Sequence, residues 1–268
     1  MNFNIVRRRI KESIGVAGLK THFRLFIFGT FIIITFFLSN SSQCLYAEND
    51  SIQTLNRKQF RFKNEILPIS LIGLGAALNF SNFRYYVRDK VGNTTNISLD
   101  DYIQYAPAAE IYIADLAGIK HKNCVWDQTK YLGFSELITS AIVQSLKRIT
   151  NVDRPNGGTM SFPSGHAGVA FSSAAVLFEE FYDENLPVAL SGYGFSIATG
   201  ALRITNNYHW ISDILESAGI GILVTHLVYY LEPLKNWKPL CIKNKYLVTP
   251  SINFSNDYAA LGLNIQLK

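Results

Sequence analysis

The sequence predicts an all-α fold: a polytopic membrane bundle of about five or six spanning helices, closed by a short C-terminal tail of β-hairpin character. Three observations lead there. Hydrophobic residues make up 48% of the 268 positions and charged residues only 17%, against the roughly 25% charged that soluble domains carry. The mean hydropathy is positive, at +0.11. Apolar stretches near the lower length limit for a spanning helix recur along the chain, and glycine and alanine are frequent in them, which suits close helix packing in a bilayer. This composition excludes intrinsic disorder, collagen and low-complexity fibres. A soluble bundle of buried helices is the competing fold, kept open by the shortness of the stretches.

Residues 1–47 read as a basic N-terminus plus a signal peptide or first membrane anchor. Arg7, Arg8, Arg9, Lys11, Lys20 and Arg24 stand against Glu12 alone, while the rest of the chain carries equal numbers of acidic and basic side chains. The net charge of +5 therefore belongs to this segment, and no basic face remains for nucleic acid. The apolar run Leu25–Leu38 follows, and Ala47 is a small residue placed for cleavage, although Leu45 suits a signal peptide poorly. On either reading the positive flank stays inside and residue 50 lies outside. Residues 48–100 are expected to be extracytoplasmic or interfacial. Within them 66–80 is apolar but holds Pro68, Gly73 and Gly75, and it is left out of the span count as an interfacial or re-entrant piece.

Residues 101–232 carry the remaining spans: 103–119 inward, 131–146 outward, 166–181 inward, 187–202 outward and 214–231 inward. Glu110 and Asp115 in the first of these must face the bundle interior. Lys235, Lys238, Lys243 and Lys245 then collect inside, as the positive-inside rule asks. The tail, 233–268, ends in alternation: Ile252 and Phe254, then Leu261, Leu263, Ile265 and Leu267, with Ser255, Asn256 and Asp257 between them. Cys44, Cys124 and Cys241 show no CxxC spacing, so neither a zinc site nor a disulfide framework is expected.

In a chain so poor in charge, the stretch from Lys147 to Asp213 stands apart. Lys147 precedes Arg154 and Pro155; Pro163, Ser164, Gly165 and His166 run together; Arg203 precedes His209 and Asp213. Singly, each piece has a plainer reading: an interfacial anchor, a helix cap by Ser164, a solvated i,i+4 pair. By the topology above, however, all three lie at outer helix ends and meet. Three cations, two histidines and a carboxylate in one layer describe a site for a phosphate dianion. Lys147, Arg154 and Arg203 would hold the phosphate oxygens, aided by the backbone N–H groups of Ser164 and Gly165 at a helix start. Asp213, one turn from His209, would accept its ring N–H and turn the other nitrogen to phosphorus as nucleophile. His166 would protonate the departing alkoxide. No triad of metal ligands is visible, so no metal or other cofactor is expected. His22, His121 and His226 have no nearby partner in sequence and are assigned to structure.

These residues resemble the type 2 phosphatidic acid phosphatase family, which shares its site with vanadium haloperoxidases and bacterial class A acid phosphatases. The family pattern K-x6-RP, PSGH and SR-x5-H-x3-D is present as Lys147 with Arg154 and Pro155, Pro163 to His166, and Arg203 with His209 and Asp213. The one departure is Leu202, where the family usually has serine, which touches phosphate positioning more than activity. The run from Asp101 to Pro107, DYIQYAP, is similar to bacterial membrane members, and the resemblance extends over about 100–231. It implies a phosphohistidine on His209, His166 as acid and then base, and metal independence. It also implies a multi-pass protein of a bacterial inner membrane with its site facing the periplasm or outside. The partners implied are the bilayer and a membrane lipid phosphate or diphosphate; phosphatidate, phosphatidylglycerol phosphate, undecaprenyl diphosphate and the lipid A phosphates are equally open. Tyr208 and Trp210 flank the nucleophile and fit an interfacial belt at a lipid headgroup, with helix packing as the alternative. Other readings are an acid phosphatase for soluble monoesters and a catalytically silent lipid-binding protein of the same fold. A vanadate haloperoxidase fits less well, those being larger soluble proteins.

Overall fold

The computed structural model describes residues 62–92, 98–237, 246–254 and 259–267. The helices are α1 (Phe62–Asn79), α2 (Phe83–Val91), α3 (Asp100–Ile103), α4 (Ala106–Leu116), α5 (Val125–Thr150), α6 (Gly165–Phe181), α7 (Leu186–Thr205), α8 (Ile211–Tyr230) and α9 (Glu232–Asn236). Residues 50–240 form one unit. Strands β1 (Tyr246–Phe254) and β2 (Ala259–Leu267) belong to a second and pair antiparallel, from Tyr246 opposite Leu267 to Phe254 opposite Ala259. The N-terminal signal or anchor lies outside the described residues.

Helix α8 is the axis of the bundle. It lies parallel to α6, since Gly221 packs on Gly168 and Ser172, while Thr225 one turn on meets Ser172 again. It lies antiparallel to α1: a Cβ on Gly75 would come within 2.6 Å of the Glu216 backbone N, one on Gly219 within 2.6 Å of the Pro68 carbonyl oxygen, and Glu65 pairs with His226 at 2.9 Å. Such contacts require glycine because two helix backbones share the space a side chain would take. Helix α7 returns antiparallel to α6 through Gly192 on Ala174 and Leu177 and the Ser196 hydroxyl on the Ala170 carbonyl. Helix α5 is likewise antiparallel to α6, with Glu136 on Ser173 and Thr139 and Val143 against Gly168. The cores between them are Ile111, Val176, Leu177, Phe181, Ile220, Val224 and Val228 toward one end, and Ala167, Phe171, Ala175, Ile214, Ala218 and Ile222 toward the other.

Helix starts follow their caps. Ser164 Oγ accepts from the Ala167 N–H at 3.4 Å to open α6, and Asn185 Oδ1 accepts from Val188 N–H at 3.2 Å to open α7, with Pro187 in its first turn. Helix α5 ends where Asn151 takes left-handed backbone, φ 43°.

Several expectations change. Segment 66–80, expected as an interfacial or re-entrant piece, falls within helix α1 and packs along α8; with α2 it forms a bent pair that fits either a broken span or a re-entrant loop. The proline that argued against a span sits in the helix's second turn, and its glycine Gly75 is what lets it approach α8. Among the described residues α8 alone is long and apolar enough to cross a membrane, with α1 and α2 qualifying as a pair bent by 87°. Helix α6 falls short with 17 residues that include His166, Glu179 and Glu180, and α7 through its proline, glycines, hydroxyl-bearing residues and Arg203. Cys124, for which the spacing suggested no bridge, is disulfide-bonded. Glu110 does turn inward, accepting from the Ser191 hydroxyl, and Asp115 is buried beside Gln128. His121 donates from Nδ1 to the Asn123 carbonyl (2.6 Å), so it and His226 have structural partners, His226's from far along the chain. His22 lies outside the described residues.

Candidate active site

The helix directions place the C-terminus of α5, the N-terminus of α6, the C-terminus of α7 and the N-terminus of α8 at one end of the bundle. Lys147, in the last turn of α5, is buried and donates from Nζ to the carbonyls of Met160 (2.8 Å) and Ser161 (3.1 Å). It thereby ties down the connection to α6, spending on backbone two donors that the sequence assigned to an anion. Arg154 lies in that connection. Its Nε donates to the Thr159 carbonyl at 3.1 Å, and its backbone N–H to the Gly158 carbonyl at 2.7 Å, across a turn made possible by Gly157 at φ 87°. Among the described residues its two η nitrogens have no hydrogen-bond partner.

At the start of α6 the structure revises one assignment. The Ser164 N–H donates to the Asp213 carbonyl at 3.2 Å, so it is used to join α6 to α8. Gly165 faces open space, where an added Cβ would meet nothing within 4 Å, and its N–H stays available at the helix start. His166 follows it, half-buried, with Nε2 3.0 Å from Asp101 Oδ1.

His209 sits in the turn between α7 and α8, shaped by Asn207 at φ 62° and by the His209 N–H on the Arg203 carbonyl at 3.2 Å. Its Nδ1 is 3.1 Å from Asp213 Oδ2. That oxygen also accepts the Trp210 N–H at 3.0 Å and the Ser161 hydroxyl, while Oδ1 accepts from Ser212 Oγ at 3.3 Å. A carboxylate only accepts, so the pairing selects the tautomer with hydrogen on Nδ1 and a lone pair on Nε2. Both residues are buried, His209 to 2% exposure and Asp213 to 0%. Burial holds the His209 pKa down at about 4; Asp213 opposes that shift, and the charges of Lys147 and Arg203 add to it. The ring is neutral at physiological pH.

Arg203 completes the layer. Its Nη1 donates to Asp100 Oδ2 at 2.6 Å, its buried Nε has no hydrogen-bond partner among the described residues, and its guanidinium lies 4.4 Å over the Tyr208 ring. Burial, and next the Arg203 charge, push the Arg154 pKa below its ordinary value, against Asp213 and Tyr208. Lys147, Arg154, Arg203, His209 and Asp213 are thus close enough to act on one another electrostatically, and His166 joins them through Asp101, whose Oδ1 is 3.6 Å from Arg203 Nη1. Trp210 is buried, its Nε1 donating to the Asp153 carbonyl at 2.8 Å and its ring edge-on to Tyr85, so it packs; Tyr208 is at the surface.

Sequence reasoning missed Ser161, Asp100 and Asp101 as site residues. Ser161 is fully buried and is 3.4 Å from His209 Nδ1 as well as bonded to Asp213. Asp100 and Asp101 come from α3 and set two carboxylates against Arg203, at 2.6 and 3.6 Å from its Nη1. The available signal was the DYIQYAP run, but nothing in it says what the acids touch. Among the described residues no group of three His, Cys, Asp or Glu side chains is disposed to hold a metal ion.

Residues 128–237 match the PAP2 superfamily model. A lipid A 1-phosphatase of Porphyromonas gingivalis is 40% identical over 82 residues, which cover 30% of this chain and 18% of that protein. The chain thus matches less than a fifth of the length of this curated relative. Among solved structures, Aquifex aeolicus LpxE aligns with a TM-score of 0.43 at 20% identity, over 55% of this chain and 94% of that one. A transmembrane PAP2-type phosphatidylglycerolphosphate phosphatase from Bacillus subtilis aligns with a TM-score of 0.42 at 16% identity, over 65% and 98%. The matched stretch contains every one of the Lys147, Arg154, His166, Arg203, His209 and Asp213 side chains described above, so the similarity to the PAP2 superfamily takes in all six.

Proposed function

We propose that this chain is a membrane phosphatase that hydrolyses a lipid phosphate monoester or diphosphate through a phosphohistidine on His209. The observation that carries the reading is the buried, neutral His209 ring, held at 3.1 Å by Asp213 in a layer that also holds Lys147, Arg154 and Arg203. A site that only bound phosphate has no need of a histidine whose free nitrogen is defined in this way. Arg154, with both η nitrogens unengaged, and Arg203 take the phosphate oxygens, joined by the N–H of Gly165. Lys147 acts at closer remove by holding the loop, and Ser164 by joining α6 to α8. His166 is the acid that protonates the leaving oxygen and then the base that activates water.

The membrane setting is supported by the surface. Ile66, Leu67, Ile69 and Leu74 on α1, Leu137 and Ile142 on α5, Leu190 and Ile197 on α7 and Leu227 on α8 are all exposed, as large aliphatic side chains facing lipid would be. Helix α2, turned by 87° from α1 at the site end, carries Arg84, Arg88 and Lys90 beside exposed Phe83 and Tyr86, the make-up of a helix at a headgroup layer. We place the site end outside, in a bacterial inner membrane, and the opposite end, with Lys120, Lys122 and Lys235, inside. Helix α1 then runs outward, which reverses the side the sequence assigned to the segment preceding it. The lipid A 1-phosphatase relative supports a lipid substrate without choosing one.

The test is phosphate release by detergent-purified protein from lipid and soluble phosphates, with EDTA present and His209→Ala alongside. Release from lipids that resists EDTA and vanishes in the variant is the expected result. Release from soluble monoesters alone moves the reading to an acid phosphatase. No release from any substrate moves it to a silent lipid-binding protein.

A further inference from the structure

We propose that Asp101 is the positioning residue of the acid–base histidine: its carboxylate holds His166 by Nε2, so that Nδ1 is the nitrogen presented to the leaving oxygen. The inference rests on the phosphatase reading and deepens it by giving the site a second carboxylate–histidine pair.

The geometry separates the tasks of two adjacent acids. Asp100, at 1% exposure, is committed to structure: Oδ2 accepts from Arg203 Nη1 at 2.6 Å and Oδ1 from Asn206 Nδ2 at 3.1 Å. Asp101 points the other way, its side chain 55% exposed, and its Oδ1 meets His166 Nε2 at 3.0 Å. The short helix that presents them is pinned by Gln104, a buried side chain whose Nε2 donates to the Asp101 carbonyl at 2.8 Å. Asp101 is therefore held by its own backbone and not only by the contact it makes.

The chemistry needs such a partner. An acid that gives up a proton to an alkoxide must first carry it, and His166 lies in a layer with Arg154, Arg203 and Lys147. The charged groups facing it are Asp101 and Asp100 from α3 and Arg203 from α7; the first turn of its own helix brings no acid. Asp101 is the only one of these in hydrogen-bond contact with the ring, so it supplies the countercharge that an imidazolium requires beside an arginine.

The two pairs are complementary. His209 is held at Nδ1 and offers Nε2; His166 is held at Nε2 and offers Nδ1. In the first step the Nε2 lone pair of His209 forms the P–N bond, the P–O bond to the leaving group breaks, and the proton on His166 Nδ1 passes to that oxygen. In the second, Nδ1 of the now neutral His166 takes a proton from water as the water oxygen bonds phosphorus. The P–N bond breaks and its electron pair returns to His209. Asp101 accepts the Nε2–H throughout.

The test compares Asp101→Asn, Asp101→Glu, His209→Ala and wild type, as full chains in detergent, on phosphatidate and on p-nitrophenyl phosphate. An alkoxide needs the acid and nitrophenolate does not. General acid catalysis contributes roughly 10²–10⁴-fold, so Asp101→Asn is expected to lower kcat/KM for phosphatidate by about 10–100-fold while changing it less than about threefold for the nitrophenyl ester. Its alkaline limb moves to lower pH, and Asp101→Glu recovers part of the loss. Equal loss on both esters would make Asp101 merely structural and overturns the proposal. So does a lowered KM with kcat unchanged, which would make the carboxylate a competitor for the phosphate position. Turnover that survives His209→Ala overturns the phosphohistidine reading and this proposal with it. Loss in His209→Ala beside an Asp101→Asn protein that matches wild type overturns this proposal alone.

Discussion

The buried neutral state of His209 ties stability to pH. Its pKa is about 4 in the folded chain, against about 6.5 for an unperturbed histidine. Between these values the unfolded chain binds a proton that the folded one does not. Stability therefore rises with pH across the window, is complete above pH of about 6.5, and is lost as pH falls toward about 4. The shift corresponds to about 3 kcal/mol in all, near 1 kcal/mol per pH unit in mid-window. For a unit of this size each kcal/mol moves the melting temperature by about 2–4 °C. The assay is thermal unfolding in detergent at several pH values, for wild type and His209→Gln. Carboxylates titrate in the same range, so the quantity that matters is the difference between the two proteins. Wild type is expected to lose about 6–12 °C more than the variant between pH 7 and 4. Rate measurements answer less directly, because a phosphate monoester has its own ionisation near pH 6. Parallel curves for the two proteins would mean that His209 is solvated or already protonated, and the assignment of a neutral nucleophile would fall with it.

Other consequences can be read from single contacts. Ser161→Ala removes a hydrogen bond to a buried carboxylate, worth about 1.5–3 kcal/mol; a lower melting temperature and a kcat/KM reduced about tenfold are expected, and an unchanged kcat/KM would show that Asp213 needs no help in holding His209. Gly219→Ala places a Cβ 2.6 Å from the Pro68 carbonyl oxygen and 2.8 Å from the Ile72 backbone N, so it should cost about 1–3 kcal/mol in thermal unfolding. Gly194→Ala, with nothing within 4 Å, is expected to be neutral or stabilising by up to about 1 kcal/mol. Arg154→Ala is expected to raise the inhibition constant of inorganic phosphate by about tenfold or more, the worth of hydrogen bonds to a charged group. An unaltered constant would remove Arg154 from the anion site.

Much of the candidate site was legible because its residues sit at helix ends and within short spacings. His209 and Asp213 are one turn apart, and in the structure they are bonded at 3.1 Å. Ser164 reads as a cap and is one. The partners that could not be read are those joined across long separations. The Ser161–Asp213 bond spans 52 positions, His166–Asp101 spans 65 and Arg203–Asp100 spans 103. Lys147 was legible as a cation but not as the donor that holds the Met160 and Ser161 carbonyls, because backbone acceptors have no sequence signature. Segment 66–80 was set aside for its proline and glycines, yet Gly75 is what α8 packs against.

The sequence by itself determined the helical class, the outline of the bundle and the order of charged and histidine residues, since hydropathy and local spacing are one-dimensional properties. The tertiary structure alone decided that α1 lies along α8, that Ser164 spends its N–H on Asp213, and that α3 sets Asp100 and Asp101 against Arg203. Those outcomes depend on which backbones can approach closely and which distant polar groups satisfy one another when water is removed, and neither is encoded in any single stretch of chain.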